Sequence, residues 1–332
     1  MPIETTVSVD RGDYEDTATP WDQDLWRAEA LAWVAGGLAA HGLRADGERA
    51  VRLRPWSVLV RVAVAGGGAV WFKANPPASA FEGPLTAALA AWVPQYVLRP
   101  LAVDAVRGWS LLPDGGDLFR TVLGREGLGL GAWEDLVCQY GRMQRALTPY
   151  AGEMEQLGVP SARTAALPEV FDRLVAANTA LDADRRAALK ALRPRLADWC
   201  AELADLGVAD SLDHSDLHDG QLFRPAPGRY TFFDWGDAAV SHPFCSLMVP
   251  AARAREDHGP DALFRLRDAY LEPWTGHGRT PAELRRAVSL AWRLSALGRA
   301  DSWGRFFPGA SGGAGEEARA HWLMRLADEP PL

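Results

Sequence analysis

Lysine is nearly absent. Only Lys73 and Lys190 interrupt an otherwise all-arginine set of 35 basic residues. A chain that prefers arginine this strongly has kept a compact ammonium at position 73, although Lys190 shows that lysine also occurs incidentally. Cysteine is scarce too. Cys138, Cys200 and Cys245 are odd in number and far apart, which excludes a disulfide framework or a zinc pattern and points to a reducing cytoplasm. No apolar run reaches the roughly 18 residues of a membrane span. The opening residues, MPIETTVSVDRGDYEDTATP, lack the basic stretch followed by an apolar run that marks a signal peptide. Basic charge is not in excess: the net charge of −8 argues against a nucleic-acid partner. These absences predict a cytoplasmic protein with neither a membrane nor a nucleic acid as partner.

What is present fits a soluble chain of one large or two modest domains: 332 residues, 48% hydrophobic and 23% charged. Its densest polar pattern runs from Leu212 to Asp237, LDHSDLHDGQLFRPAPGRYTFFDWGD. Gly220, Pro225, Pro227 and Gly228 punctuate it. Between them Gln221-Leu222-Phe223 and Tyr230-Thr231-Phe232-Phe233 read as the two strands of a hairpin. A hairpin places the loop before its first strand close to the residue after its second. Asp216 and Gln221 are therefore expected near Asp234. Two carboxylates and an amide form a hard oxygen site, which suits magnesium. An uncommitted carboxylate beside it can take a proton from a hydroxyl.

Those residues carry a resemblance. His214-Ser215-Asp216-Leu217-His218-Asp219-Gly220-Gln221 resembles the catalytic loop of the aminoglycoside phosphotransferase and choline kinase-like small-molecule kinases, usually H-G-D-L-H-x-x-N. Phe233-Asp234-Trp235-Gly236-Asp237 resembles their I-D-W-x-D metal segment. The resemblance implies an α+β, bilobal, protein-kinase-like fold. It implies an ATP-dependent kinase, with GTP as the alternative donor, that phosphorylates a hydroxyl of a small acceptor, a cationic amino sugar among the candidates. Asp216 would be the catalytic base, and Asp234 and Gln221 would hold magnesium. Two departures stand out: Gln221 replaces Asn, and Ser215 replaces Gly.

The order of the chain extends the same expectation. Residues 1–20 read as an extended or loosely held arm and Trp21–His41 as a helix. Val51–Trp56, Ser57–Val64 and Ala69–Lys73 read as a β-meander ending on Lys73. In the family this lysine meets the nucleotide phosphates, with Glu82 as its natural partner. The place of the Gly-rich loop holds Arg54-Pro55-Trp56-Ser57, so Arg54 or Ser57 is the candidate phosphate contact there. Val97–Val103 and Gly108–Leu112 read as further strands, and Leu111–Pro113 as the hinge that meets the adenine edge. Residues 1–112 would form the N-terminal lobe and 113–332 a mainly helical C-terminal lobe. Helices are expected over 133–147, 168–180, 184–206, 243–255, 260–270, 281–300 and 316–326. Pro194 should kink or split the third of these. Residues 307–315 read as a flexible connection. Asp219, Asp237, Glu256, Asp257, Asp301 and Trp303 are candidates to line the acceptor's cleft, and carboxylates there would suit an amino sugar. A nucleotide-binding scaffold without turnover is the competing reading, favoured by Gln221 and by the missing Gly-rich loop.

Overall fold

The computed structural model describes residues 7–310 and 314–332. The start of the expected arm and residues 311–313 of the expected flexible connection lie outside the described residues. The chain forms two compact units. One comprises Met1–Gly115 with Arg305–Gly312, the other Gly116–Gly304 with Gly313–Leu332.

The first unit is a mixed sheet with two helices. In chain order it contains β1 (Val7–Asp10), α1 (Asp24–Ala40), β2 (Ala45–Arg54), β3 (Ser57–Val64), β4 (Ala69–Ala74), α2 (Glu82–Trp92), β5 (Ala102–Asp104) and β6 (Trp109–Pro113). The strand order is β1-β2-β3-β4-β6-β5. Only the β1–β2 pairing is parallel. Along β3 every second residue is buried, as the two-residue period of a strand requires. Val58, Val60, Val62 and Val64 thereby join Phe72, Trp109 and Leu111, and the α1 residues Ala30, Val34 and Leu38, in one core. Each fully buried valine or leucine contributes about 1.5–3 kcal/mol by leaving water. Gly37 lets α1 approach the sheet, since a Cβ there would stand 3.0 Å from Leu111 Cδ2.

Three expectations need correction. The expected loose arm includes strand β1, which all four of its exposed side chains concealed from a pattern search. The strand expected at Val97–Val103 is confined to Ala102–Asp104, after Pro100, which cannot donate to a ladder. The meander's first strand begins at Ala45 rather than Val51, with a register shift between Ala45 and Arg49.

The second unit is mainly helical. It contains α3 (Phe119–Glu126), α4 (Leu130–Leu147), α5 (Ala151–Gln156), β7 (Ser161–Ala162), α6 (Leu167–Ala177), α7 (Ala183–Asp205), β8 (Ser211–Asp213), β9 (Leu222–Ala226), β10 (Arg229–Phe232), β11 (Ala239–Ser241), α8 (Met248–His258), α9 (Asp261–Leu271), α10 (Pro281–Ser302) and α11 (Ala314–Met324). β9 and β10 form the expected antiparallel hairpin, and β7-β11-β8 a small sheet. The α4 face Leu136, Val137, Tyr140, Met143, Gln144 and Leu147 is buried as its spacing predicts. α10 opens with Pro281 after a capping box between Thr280 and Glu283. α7 runs through Pro194 without a break. Pro194 and Lys190 are both exposed, so the carbonyl that loses its helical donor can turn to water. Among the described residues no helix is long and apolar enough to cross a membrane.

Candidate active site

In the first unit Lys73 and Glu82 form a buried ion pair. Lys73 Nζ lies 2.7 Å from both Glu82 carboxylate oxygens. Their side chains are 9% and 4% exposed, so each charge needs the other. Sheet register fixes the lysine: it pairs with Leu59 on one side and Ser110 on the other. Glu82 is the first residue of α2. Its neighbour Gly83 brings that helix onto the sheet, because a Cβ there would stand 2.9 Å from Val103 Cγ1.

Ser57 opens β3 directly after a two-residue turn, Pro55-Trp56. The turn is held from several sides. The Pro55 carbonyl accepts from Phe307 N–H at 2.8 Å. The Trp56 ring packs on Tyr14 and Phe306, with centroids at 5.1 and 6.0 Å. Arg54, the other candidate phosphate contact, is held by the Asp10 carboxylate at 3.0 Å. Leu111 is an internal strand residue whose side chain is fully buried and whose carbonyl accepts from Leu101 N–H at 2.7 Å. Pairing of β6 with β5 ends opposite Leu111, while pairing with β4 continues to Pro113. Backbone beyond Leu111 on that edge is not paired with β5.

In the second unit β8 delivers the loop 214–221 and the hairpin delivers Phe233-Asp234. Two bonds bring the two together, and a third closes the loop on itself. The buried His214 ring bonds the Phe233 carbonyl at 2.9 Å. Phe233 N–H donates to the Gln221 carbonyl at 3.1 Å, and Gln221 N–H to the His218 carbonyl at 2.9 Å. Burial pushes the His214 pKa down, against the opposing fields of Asp216 and Asp234. A neutral His214 thus donates through Nε2 to Phe233.

Among the described residues only two non-glycine residues have left-handed φ: Ser215 at 62° and Asp234 at 67°. Such a backbone costs roughly 1–3 kcal/mol and persists only where its surroundings enforce it. At Ser215 the enforcement is visible. Asp213 accepts from Ser215 N–H at 2.9 Å and from Ser215 Oγ at 3.0 Å. Ser246 Oγ donates to the same carboxylate at 2.6 Å. Desolvation raises the Asp213 pKa, and these three donors oppose it. Below, Gln144 Nε2 donates to the Leu212 and Pro243 carbonyls at 2.7 and 2.9 Å.

No protein-family profile and no curated protein matches the chain. Solved structures do. A macrolide 2'-phosphotransferase from Brachybacterium faecium superposes with a TM-score of 0.56 at 20% identity, covering 89% of this chain and 98% of that one. An ethanolamine kinase from Plasmodium vivax gives 0.59 at 12% identity, covering 91% and 87%. A GDP complex of an aminoglycoside 2'-phosphotransferase-IIIa gives 0.51 at 17%, covering 88% and 99%. The chain has the kinase-like fold of these proteins.

Within this kinase-like fold, the residues singled out in the sequence divide into two groups. Lys73 and Glu82 meet in the first unit. Asp216, Gln221 and Asp234 gather around His214 and the start of the hairpin in the second. The acceptor candidates behave differently. Asp219 is mostly buried and bonded to Arg120 at 3.1 Å. Its burial raises the pKa, but the hydrogen bond from His218 and the Arg120 charge outweigh that and leave it lowered. Gly220 makes room for this arginine, since a Cβ there would lie 2.3 Å from Arg120 Nη2. Asp301 pairs with Arg173 at 3.2 Å. Asp237 lies 3.5 Å from Arg299.

Arg299 on α10 is the residue that sequence reasoning missed. Its Nη1 lies 2.9 Å from Asp216 Oδ1 and donates to the Ser215 carbonyl at 3.1 Å. The side chain is only 12% exposed, and its guanidinium sits 5.4 Å from the Trp322 ring centroid. Gly298 lets α10 come close, a Cβ there meeting Ser215 Oγ at 3.5 Å. One arginine among 33, 83 positions along from Asp216, gives no sequence signal.

The donor chemistry fits magnesium. Asp234 offers a carboxylate on a backbone held in an unusual conformation, and Gln221 brings an amide oxygen on a segment bonded to Phe233. Both are hard oxygen donors, and so small a protein set leaves coordination positions for phosphate and water.

Proposed function

We propose that this protein is a small-molecule kinase that moves the γ-phosphoryl group of ATP or GTP to a hydroxyl of its acceptor. The observation that carries the reading is the strained pair Ser215 and Asp234. One precedes the proposed base, the other is the proposed metal ligand, and His214 ties their segments together.

In this reading Asp216 orients the acceptor hydroxyl and takes its proton as the oxygen attacks. The new bond joins that oxygen to the γ-phosphorus. The bond from the γ-phosphorus to the bridging oxygen breaks, and the nucleoside diphosphate leaves. Lys73, held by Glu82, binds nucleotide phosphate, and the edge at Leu111–Pro113 takes the base through backbone groups. Ser57 is the phosphate contact of the β2–β3 turn. Magnesium, held by Asp234 and Gln221, would neutralise charge on the β- and γ-phosphates. Little covalent chemistry is asked of the chain; positioning and charge compensation supply the rate.

The competing reading is a nucleotide-binding scaffold without turnover. It draws support from the rigid Pro55-Trp56 turn and from Arg54 being taken by Asp10. Thermal-shift titration with ATP and with GTP, each with and without magnesium, tests the nucleotide site common to both readings. The expected result is a magnesium-dependent shift in the wild type that Asp234→Ala loses. At about 100 times the dissociation constant the stabilisation is roughly 2.7 kcal/mol. No shift with either nucleotide would remove the kinase reading's foundation.

A further inference from the structure

We propose that the acceptor carries no ammonium group where it meets Asp216, and that Arg299 excludes such groups. This rests on the kinase reading of the same site and narrows its substrate class. A carboxylate-rich wall would suit an amino sugar; of the five carboxylates the sequence offers for one, Glu256 and Asp257 are exposed on α8, and the other three are Asp219, Asp237 and Asp301. The structure gives each of these three an arginine partner: Arg120 at 3.1 Å, Arg299 at 3.5 Å and Arg173 at 3.2 Å.

These pairs differ in depth. Arg173 is 60% exposed and Arg120 51%, so water and salt weaken their hold. Arg299 is 12% exposed and stands between two carboxylates, Asp216 and Asp237, while also bonding the Ser215 carbonyl. An incoming ammonium would have to displace it, or share the same two carboxylates, 26% and 34% exposed, with a second positive charge. A neutral hydroxyl meets neither cost. It needs only Asp216 Oδ2, which has His218 Nε2 at 3.8 Å, since Arg299 engages Oδ1. Exclusion by a fixed like charge discriminates between substrates independently of any gain in attraction.

The test titrates the full chain with kanamycin, a polycationic probe, by thermal shift at low ionic strength, with and without ATP and magnesium. Wild type should show no kanamycin shift. Arg299→Gln should bind it at least tenfold more tightly, and adding Asp237→Asn to that variant should remove the gain. Arg299→Lys keeps the charge and should stay blind to kanamycin. If Arg299→Gln does not fold, Arg173→Gln, an exposed change, should give a smaller gain by removing one positive charge beside Asp301. Kanamycin binding by wild type overturns the proposal, as does absence of any gain in whichever variant folds. The nucleotide arm is read separately. Loss of the ATP shift with the kanamycin pattern intact counts against the kinase reading, not against the charge exclusion.

Discussion

Two ion pairs invite comparison, one in each unit. Lys73–Glu82 is buried on both sides and joins residues nine apart, on a strand and the helix that follows it. Asp216–Arg299 is more exposed, 26% and 12%, and joins residues 83 apart, from a loop and a late helix. The first holds a cation in place and satisfies both charges. The second places a cation on a carboxylate that the proposed chemistry must use. A fixed, fully paired group and a group held by one oxygen are different devices: the first is a support, the second a setting that leaves one oxygen for a substrate.

Breaking the pairs should separate them. Lys73→Met or Glu82→Leu alone leaves a buried charge without its partner and should cost about 3–5 kcal/mol in urea unfolding. The double change Lys73→Met with Glu82→Leu should recover most of that loss. Arg299→Met should cost less, about 1.5–3 kcal/mol, because Asp216 is 26% exposed and can be rehydrated while the Ser215 carbonyl loses its charged donor. Equal losses at Lys73 and Arg299 would erase the distinction. A smaller effect sharpens the view of the loop itself. Asp213→Ala removes the acceptor that holds Ser215 at φ 62°, and should lower turnover roughly tenfold. Ser215→Gly in the same chain should restore much of it, because glycine adopts that backbone without help. A purely structural role for Asp213 would give stability loss with no rescue of turnover by glycine.

Much of this was legible in the sequence. The hairpin was legible because Gly220, Pro225, Pro227 and Gly228 bound two aromatic runs at the right distance. Lys73 stood out because lysine is otherwise almost unused. The α4 face followed from its helical spacing. Other features left no local trace. β1 is a strand whose side chains all face water, so no alternation marks it. Arg299 reaches Asp216 only through the packing of α10 on the loop, which depends on Gly298 and on tertiary contact. The same holds for Arg120 over Gly220. Pairing across long stretches of chain is decided by the fold, and arginines are too common here to flag themselves.

The central claim is that Asp216 acts on a hydroxyl beside a bound nucleotide. The most direct measurement is release of ADP from magnesium-ATP, with water as the fallback acceptor, by wild type and Asp216→Asn. The account predicts slow release by wild type and a rate roughly 10²–10⁴ lower in the variant, with an unchanged magnesium-ATP thermal shift in both. ADP release by Asp216→Asn at the wild-type rate would contradict it. Nucleotide binding without release from either chain would leave a scaffold in place of a kinase.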